Sequence, residues 1–399
     1  LILGVSAIVF VSVNMGAIFE IEIIKIFGVK FWAILNPLFR EQSKIFASVM
    51  EQLPTTWASF YYDLHLLLLF MLLGIYFCFR RLKDEDIFLL IFGITIIYFS
   101  GSLVRIILIL APAAALLGAY GLVSIWTPLF DHLKMRPSEP LRRRRKVGRP
   151  MRKEAAVFAI AVLFLMMVFQ ISHDVNVAAN PSPSELIPSP QLNDWQEALY
   201  YMKYNLPKGS VIACWWDYGY WITTIANQTS LADNATLNTT QIALIGYAFM
   251  SEDIIQTLRI LRTLNATHIL VHFGLLTPGL GGDEFKWTWM AEIAEDVFGP
   301  EVVNFSRYYL PDSGIQPAFF NTTIYKLLLY REPAGPYQSY IQQRLQQLGE
   351  EWYYNIPTHI EFIEEEYISK NRMVKLYRID WDAWYQYMEE NNLSIEIQL

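Results

Sequence analysis

Five apolar runs crowd the first 172 residues, at 1–18, 64–79, 87–100, 103–126 and 155–171. A helix needs about 20 apolar residues, range roughly 17–25, to cross the hydrocarbon core of a bilayer. The run at 103–126 reaches that length alone, and the shorter ones reach it with their flanking aromatic residues. A buried core helix accounts for one such run, not for five in succession. In lipid a spanning segment must satisfy its own backbone N–H and C=O groups, so the runs are predicted to be helices. The expected fold over residues 1–172 is a multi-pass α-helical membrane bundle. The chain starts Leu-Ile-Leu-Gly, without Met and already inside an apolar run, which predicts a fragment whose first helix is cut.

Charge divides the chain at the same place. Residues 1–172 carry 18 Lys and Arg against 11 Asp and Glu, and residues 173–399 carry 13 against 27. Only 17% of the chain is charged, against about a quarter in ordinary soluble domains, which argues against a purely soluble protein. The basic residues of the first half gather in two loops. Arg80, Arg81 and Lys83 sit in one, and the loop at about 127–154 contains RRRRK at 142–146. The positive-inside rule places both in the cytoplasm. Wedged between two apolar spans, RRRRK reads as a topology signal rather than a nucleic-acid patch. The loop at about 31–63 and everything after 172 are then expected outside. All seven Asn-x-Ser/Thr sequons, at Asn227, Asn234, Asn238, Asn265, Asn304, Asn321 and Asn392, fall in that outer half, which is consistent with the assignment.

The Pro/Ser stretch at 181–190 (PSPSELIPSP) breaks the last helix and opens a new unit. Helices are expected at 193–205 and 252–264, and strands at 210–214, 268–273, 322–330 and 373–379. The acidic stretch at 361–366 reads as a solvated helix face. Alternation of the two element types predicts a mixed α/β extracytoplasmic domain over 173–399. The two cysteines, Cys78 and Cys214, allow neither a disulfide framework nor a Cys-rich metal site.

No glycine-rich phosphate loop and no nucleophile elbow is present. His268 and His272 are four apart, but in a strand-like run without the Glu of a helical zinc motif, so they are expected to be core or edge histidines. The segment at 215–221, WWDYGYW, is different. It places three Trp, two Tyr, an Asp and a Gly directly after a buried strand. Indole N–H groups and a carboxylate are suited to clasp a small hydroxyl, and Gly219 would permit the tight turn that presents them.

Trp215-Trp216-Asp217-Tyr218-Gly219 resembles the signature of the oligosaccharyltransferase catalytic subunit, a GT-C-type membrane glycosyltransferase that makes N-linked glycans. Three further segments support the resemblance. Asp283, Lys286 and Met290 in DEFKWTWM are similar to the family's DxxKxxx(M/I) motif. Ser48-Val49-Met50-Glu51, followed by Pro54-Thr55-Thr56-Trp57, resembles its SVxE motif. Arg105, at the outer end of a span in SLVRIILILAPAAA, resembles a family arginine near the lipid phosphates. Together they cover essentially the whole chain, in the family's order.

The resemblance implies a GT-C-like bundle and a defined reaction. An oligosaccharide would pass from a dolichyl phosphate or diphosphate carrier to the Asn side-chain amide of Asn-x-Ser/Thr in acceptor proteins. An amide nitrogen is a poor nucleophile because its lone pair is delocalised. Glu51 is the implied catalytic carboxylate, accepting hydrogen bonds from that NH₂ group, and it would also ligate Mn²⁺ or Mg²⁺. Arg105 and Tyr220 would contact the lipid-linked donor. Trp215, Trp216 and Asp217, with Asp283, Lys286 and Met290, would line the acceptor-peptide pocket around the Ser/Thr hydroxyl. One departure stands out: the family's other acidic metal ligands, in an early external loop, are not found here and are expected upstream of Leu1.

Two other readings compete. A lipid-phosphate-sugar-dependent protein O-mannosyltransferase fits the spans and Glu51 but not the WWDYG clasp. A membrane transporter or binding protein predicts paired internal repeats among the spans, and none is visible.

Overall fold

The computed structural model describes residues 44–134, 152–179, 193–274, 281–331 and 357–397. The chain divides into two compact units, Leu1–Pro181 and Ser182–Leu399.

The described part of the first unit is helical: α1 (Trp57–Leu64), α2 (Leu67–Arg81), α3 (Asp84–Ser102), α4 (Ile107–Lys134) and α5 (Lys153–Ala179). Asp84–Ser102, Val104–Lys134 and Lys153–Ala179 are each long and apolar enough to cross a membrane, and α1 with α2 passes as a pair bent by 92°. The apolar runs from residue 64 onward therefore fall on helices. The run at 1–18 and the RRRRK segment lie outside the described residues. The run at 64–79 is not one uninterrupted helix. His65, at φ 47°, closes the last turn of α1 by donating its amide to Tyr61 O at 2.8 Å, and α2 restarts at Leu67. Between α2 and α4 the backbones touch. A Cβ on Gly74 would lie 2.0 Å from Leu117 O, and one on Gly121 2.3 Å from Phe70 O. Small residues at such crossings let helices approach where lipid supplies no hydrophobic drive. Phe158, Phe164 and Phe169 of α5 stay exposed.

The second unit is built on a five-stranded sheet, β1 (Val211–Ala213), β2 (Thr229–Ser230), β3 (His268–His272), β4 (Ile363–Ile368) and β5 (Val374–Ile379), in the order β2-β1-β3-β5-β4. β1 runs parallel to β2 and β3; β3–β5 and β5–β4 are antiparallel. The helices are α6 (Asp194–Asn205), α7 (Gly219–Thr224), α8 (Thr239–Met250), α9 (Ile254–Thr263), α10 (Asp283–Phe298), α11 (Thr323–Leu329) and α12 (Trp381–Glu390). This is a mixed sheet in a globular domain separate from the helical, membrane-type region.

Two sequence expectations fail here. Thr323–Leu329, within the run expected as a strand at 322–330, form α11 instead, with the Thr322 hydroxyl accepting from Tyr325 N as the helix cap. Every residue from Thr323 to Leu329 but Lys326 is buried, and a short run buried on all sides has no period that separates helix from strand. The acidic stretch is β4, not a helix. It is the sheet edge, where Glu364 and Glu365 are exposed and Arg378 of β5 pairs with Glu364 across the strands. Charge on an edge strand keeps it from pairing with another chain.

Candidate functional site

In the second unit β1 leads through Cys214 into Trp215, whose backbone is extended (φ −64°, ψ 144°). A 3₁₀ turn then holds Trp216–Tyr218, and α7 starts at Gly219. Gly219 sits at φ −58°, an ordinary helical value, so the turn does not require glycine for its backbone angle. Crowding requires it instead: a Cβ would lie 2.1 Å from Ala232 O and 2.5 Å from Asp233 Cα.

Across from this turn, α10 brings Asp283 and Lys286, three residues apart and so on one face. Tyr218 is the link. Its hydroxyl donates to Asp283 Oδ1 at 2.9 Å and accepts from Lys286 Nζ at 3.2 Å. Lys286 Nζ also lies 2.7 Å from Asp217 Oδ2 and 4.6 Å from the centre of the Tyr218 ring. The other oxygen of Asp283 accepts from His272 N at 2.8 Å. Trp195 of α6 packs on the Tyr218, Trp221 and His272 rings, with centroids 4.8, 4.9 and 5.1 Å away.

Burial sets the protonation of this cluster. Asp283 is 0% exposed, and loss of water pushes its carboxyl up to about 6 despite the nearby Lys286 ammonium. Glu284, also buried, rises to about 8, although its two oxygens accept from Gly274 N and Gly282 N. Burial lowers His272 to about 3, so it is neutral at physiological pH, and raises the Cys214 thiol to about 12, which leaves it inert. Against this dry background Asp217 and Lys286 keep about a quarter of their side chains exposed. They are the charged pair that solvent, and so a substrate, can reach. Trp216 Nε1 is buried and meets no acceptor among the described residues.

The remaining expected residues separate. Trp215 and Trp216 are buried beside Asp217, and Tyr220 on α7 is half exposed. Met290 follows Lys286 by four residues on α10 but is 0% exposed, its carbonyl pressed against Gly246 of α8. His272 is the buried core histidine that the sequence predicts, whereas Trp195 and the linking role of Tyr218 are not expected from the sequence. Tyr218 lies inside the WWDYG run, where aromatic content reads as a clasp rather than a relay; Trp195 has no local signal at all.

In the first unit Glu51 lies in a 3₁₀ turn (Met50–Gln52) and Arg105 in another (Val104–Ile106). Arg105 Nε is 3.5 Å from Glu51 Oε2, with both side chains largely exposed. A divalent cation does not fit the described residues by themselves. Glu51 offers one hard carboxylate facing a guanidinium, and among the described residues no three His, Cys, Asp or Glu converge.

Residues 2–118 match the family described as oligosaccharyl transferase STT3, N-terminal. The STT3 subunit of the dolichyl-diphosphooligosaccharide–protein glycosyltransferase of Dictyostelium discoideum is 33% identical over 376 residues, 89% of this chain and 51% of the relative. The chain belongs with the STT3 oligosaccharyl transferases. It spans about half the length of the curated STT3 relatives it matches. Its fold is similar to that of part of the oligosaccharyltransferase AglB from Archaeoglobus fulgidus, solved with an inhibitory peptide and a dolichol-phosphate. The TM-score is 0.58 at 15% identity, covering 94% of this chain and 53% of AglB. A second Archaeoglobus fulgidus oligosaccharyltransferase structure, with zinc and sulfate, aligns with a TM-score of 0.50 at 16% identity over 80% of this chain and 48% of its own.

Proposed function

We propose that this STT3-type chain carries acceptor-selecting and reacting residues of a protein N-glycosylation enzyme. The enzyme transfers an oligosaccharide from a dolichyl phosphate or diphosphate to the amide nitrogen of Asn in Asn-x-Ser/Thr. The observation that carries this reading is the Asp217–Lys286 pair, about a quarter exposed, 2.7 Å apart and held by the buried Tyr218 and Asp283. With one Asp217 oxygen engaged by Lys286, the other is left to accept from the sequon hydroxyl, and the buried, unpartnered indole N–H of Trp216 becomes a donor to the same hydroxyl once neighbouring side chains shift on binding. The AglB structures solved with peptide and dolichol-phosphate support the substrate classes.

Glu51 then accepts hydrogen bonds from the acceptor amide, which weakens its conjugation and frees the nitrogen to attack the sugar carbon. The carbon–oxygen bond to phosphate breaks, the carrier leaves as a phosphate anion, and the amide proton passes to a carboxylate or to solvent. Arg105 suits the leaving phosphate through paired N–H donors, and an arginine at the end of a span is functional by default. Tyr220 would touch the same donor. Glu51 is the carboxylate the SVxE resemblance assigns to Mn²⁺ or Mg²⁺. That assignment needs donors beyond the described residues, so no step here runs through a cation. The helices form a multi-pass region, and the second unit faces the external or lumenal side, as the basic loops and the sequons suggest.

The test uses the full-length protein in its native membrane. Lipid-linked oligosaccharide is offered with an Asn-x-Thr peptide and with the same peptide carrying Val in place of Thr. Glycosylation of the first and not the second is expected. Equal glycosylation of both, or transfer to Ser/Thr oxygen, defeats the reading.

A further inference from the structure

Helix α3 ends by handing its last carbonyls to a different segment. Its closing helical bond is Leu103 N to Phe99 O at 2.9 Å. Had the helix continued, Val104 N would have bonded Ser100 O. Instead Val104 N donates to Leu53 O at 3.1 Å. Ser100 O accepts from the Thr55 hydroxyl, and Gly101 O accepts from Thr55 N at 3.1 Å. Terminal helix carbonyls have no partner inside the helix. Ser100 is buried, at 0% exposure, and Gly101 is half-buried, so Thr55 supplies bonds that water is poorly placed to make. A single residue, through one amide and one hydroxyl, caps the end of α3.

The consequence lies on either side of this junction. Glu51 precedes Leu53 by two residues and Arg105 follows Val104 directly. The stitched segments bring Arg105 Nε to 3.5 Å from Glu51 Oε2. That ion pair is exposed on both sides, and exposed pairs contribute little on their own. The fixed spacing therefore comes from the three hydrogen bonds, not from the charges.

We propose that Thr55 is a positioning residue for the transfer reaction, setting the distance between the carboxylate of Glu51 and the guanidinium of Arg105. The proposal rests on the roles given above to those two residues. Thr55 touches neither substrate. Attack by the amide nitrogen and departure of the phosphate occur together, so the groups that serve them must be held in one geometry. A displacement of about 1 Å can cost roughly 100-fold in rate.

The test is made in the full-length, membrane-embedded enzyme with Thr55→Val, which keeps the shape and removes the hydroxyl, and with Thr55→Ser, which keeps the hydroxyl. Thr55→Val is expected to lower kcat/KM for a dolichyl-diphosphate oligosaccharide by about 10- to 100-fold, while KM for an Asn-x-Thr peptide stays unchanged. Thr55→Ser restores most of the loss. In an Arg105→Ala background Thr55→Val costs little further, because residues acting through one another are not additive. Wild-type donor kinetics for Thr55→Val, no rescue by Ser, or fully additive losses with Arg105→Ala would each overturn the proposal. Hydrogen exchange separates it from the reading beneath it. If Glu51→Gln and Arg105→Ala retain activity, the proposed function has failed. The stitch is then judged by the Val104 amide: faster exchange in Thr55→Val supports it, and unchanged exchange refutes it.

Discussion

Lys286 and Asp217 meet at 2.7 Å, and Lys286 is held there by the Tyr218 hydroxyl 3.2 Å away. This partly exposed pair is thus anchored to a buried acid, Asp283, through one phenol. Such an arrangement fixes where Asp217 points before any substrate arrives, which is what recognition of a small hydroxyl demands.

Replacing Asp217 by Ala is accordingly expected to remove nearly all transfer to Asn-x-Thr peptides. Sites built to bind a hydroxyl discriminate against its absence by about 10⁴, and the loss of its partner carboxylate is of the same order. Asp217 is partly exposed and not part of the core, so the fold survives. Activity assays beside thermal unfolding of the same preparation check both halves; retained activity or a collapsed domain excludes the assignment.

How much of this was legible without coordinates follows from the range of each interaction. The helices from residue 64 onward were, because a continuous apolar run carries its own evidence. The Trp and Asp of the turn were too, being adjacent in sequence. Tyr218, however, acts through residues 54 and 65 positions away, and no local pattern encodes such pairings. Residues 322–330 and 361–366 misled for opposite reasons. The first is so buried that its period vanishes, and the second is an edge strand whose charges imitate an exposed helix.

The buried Glu284 gives the second unit a pH dependence. Burial raises this carboxyl from 4.5 to about 8, so between those values the folded state holds a proton that the unfolded state has lost. Unfolding then releases a proton, so this group's contribution to stability declines as pH rises and levels off above about 8. The slope is at most roughly 1.4 kcal/mol per pH unit. Asp283, at about 6, and His272, at about 3, have already lost their protons above pH 7 and add no slope there. Thermal unfolding of the second unit's tryptophans from pH 7 to 9 is expected to show a falling midpoint, and Glu284→Gln to flatten it. A slope unchanged by the substitution excludes Glu284 as its source.

Met290 offers a separate test of acceptor selection. At 0% exposure it can cover the methyl of a sequon Thr only if neighbouring side chains shift on binding. Truncating a buried Met to Ala costs about 2–5 kcal/mol, so Met290→Ala is expected first to lower the unfolding temperature. A contact with substrate adds a second effect, since one buried methyl is worth about 0.8 kcal/mol, or roughly fourfold in preference for Thr over Ser. Measuring kcat/KM for both peptides below the variant's unfolding temperature decides between them. A Thr/Ser ratio equal to wild type makes Met290 a packing residue alone.

Gly219 tests whether crowding, rather than backbone angle, explains the glycine of the turn. At φ −58° alanine is tolerated by the backbone, but its Cβ would sit 2.1 Å from Ala232 O and 2.5 Å from Asp233 Cα. Both are backbone atoms, so no rotamer relieves the overlap and the turn holding Asp217 must move away from residues 232–233. Overpacking of this kind costs about 1–3 kcal/mol, and a shift near 1 Å lowers the rate by roughly 100-fold. Gly209 supplies the converse. It lies at φ 82° with nothing within 4 Å of an added Cβ; Gly209→Ala therefore strains the backbone by about 1–2 kcal/mol without moving Asp217. The expected outcome is that both variants lose some stability while only Gly219→Ala loses transfer, through a raised KM for the acceptor peptide. If the two lose activity in proportion to their stability, crowding at Gly219 has no bearing on the site.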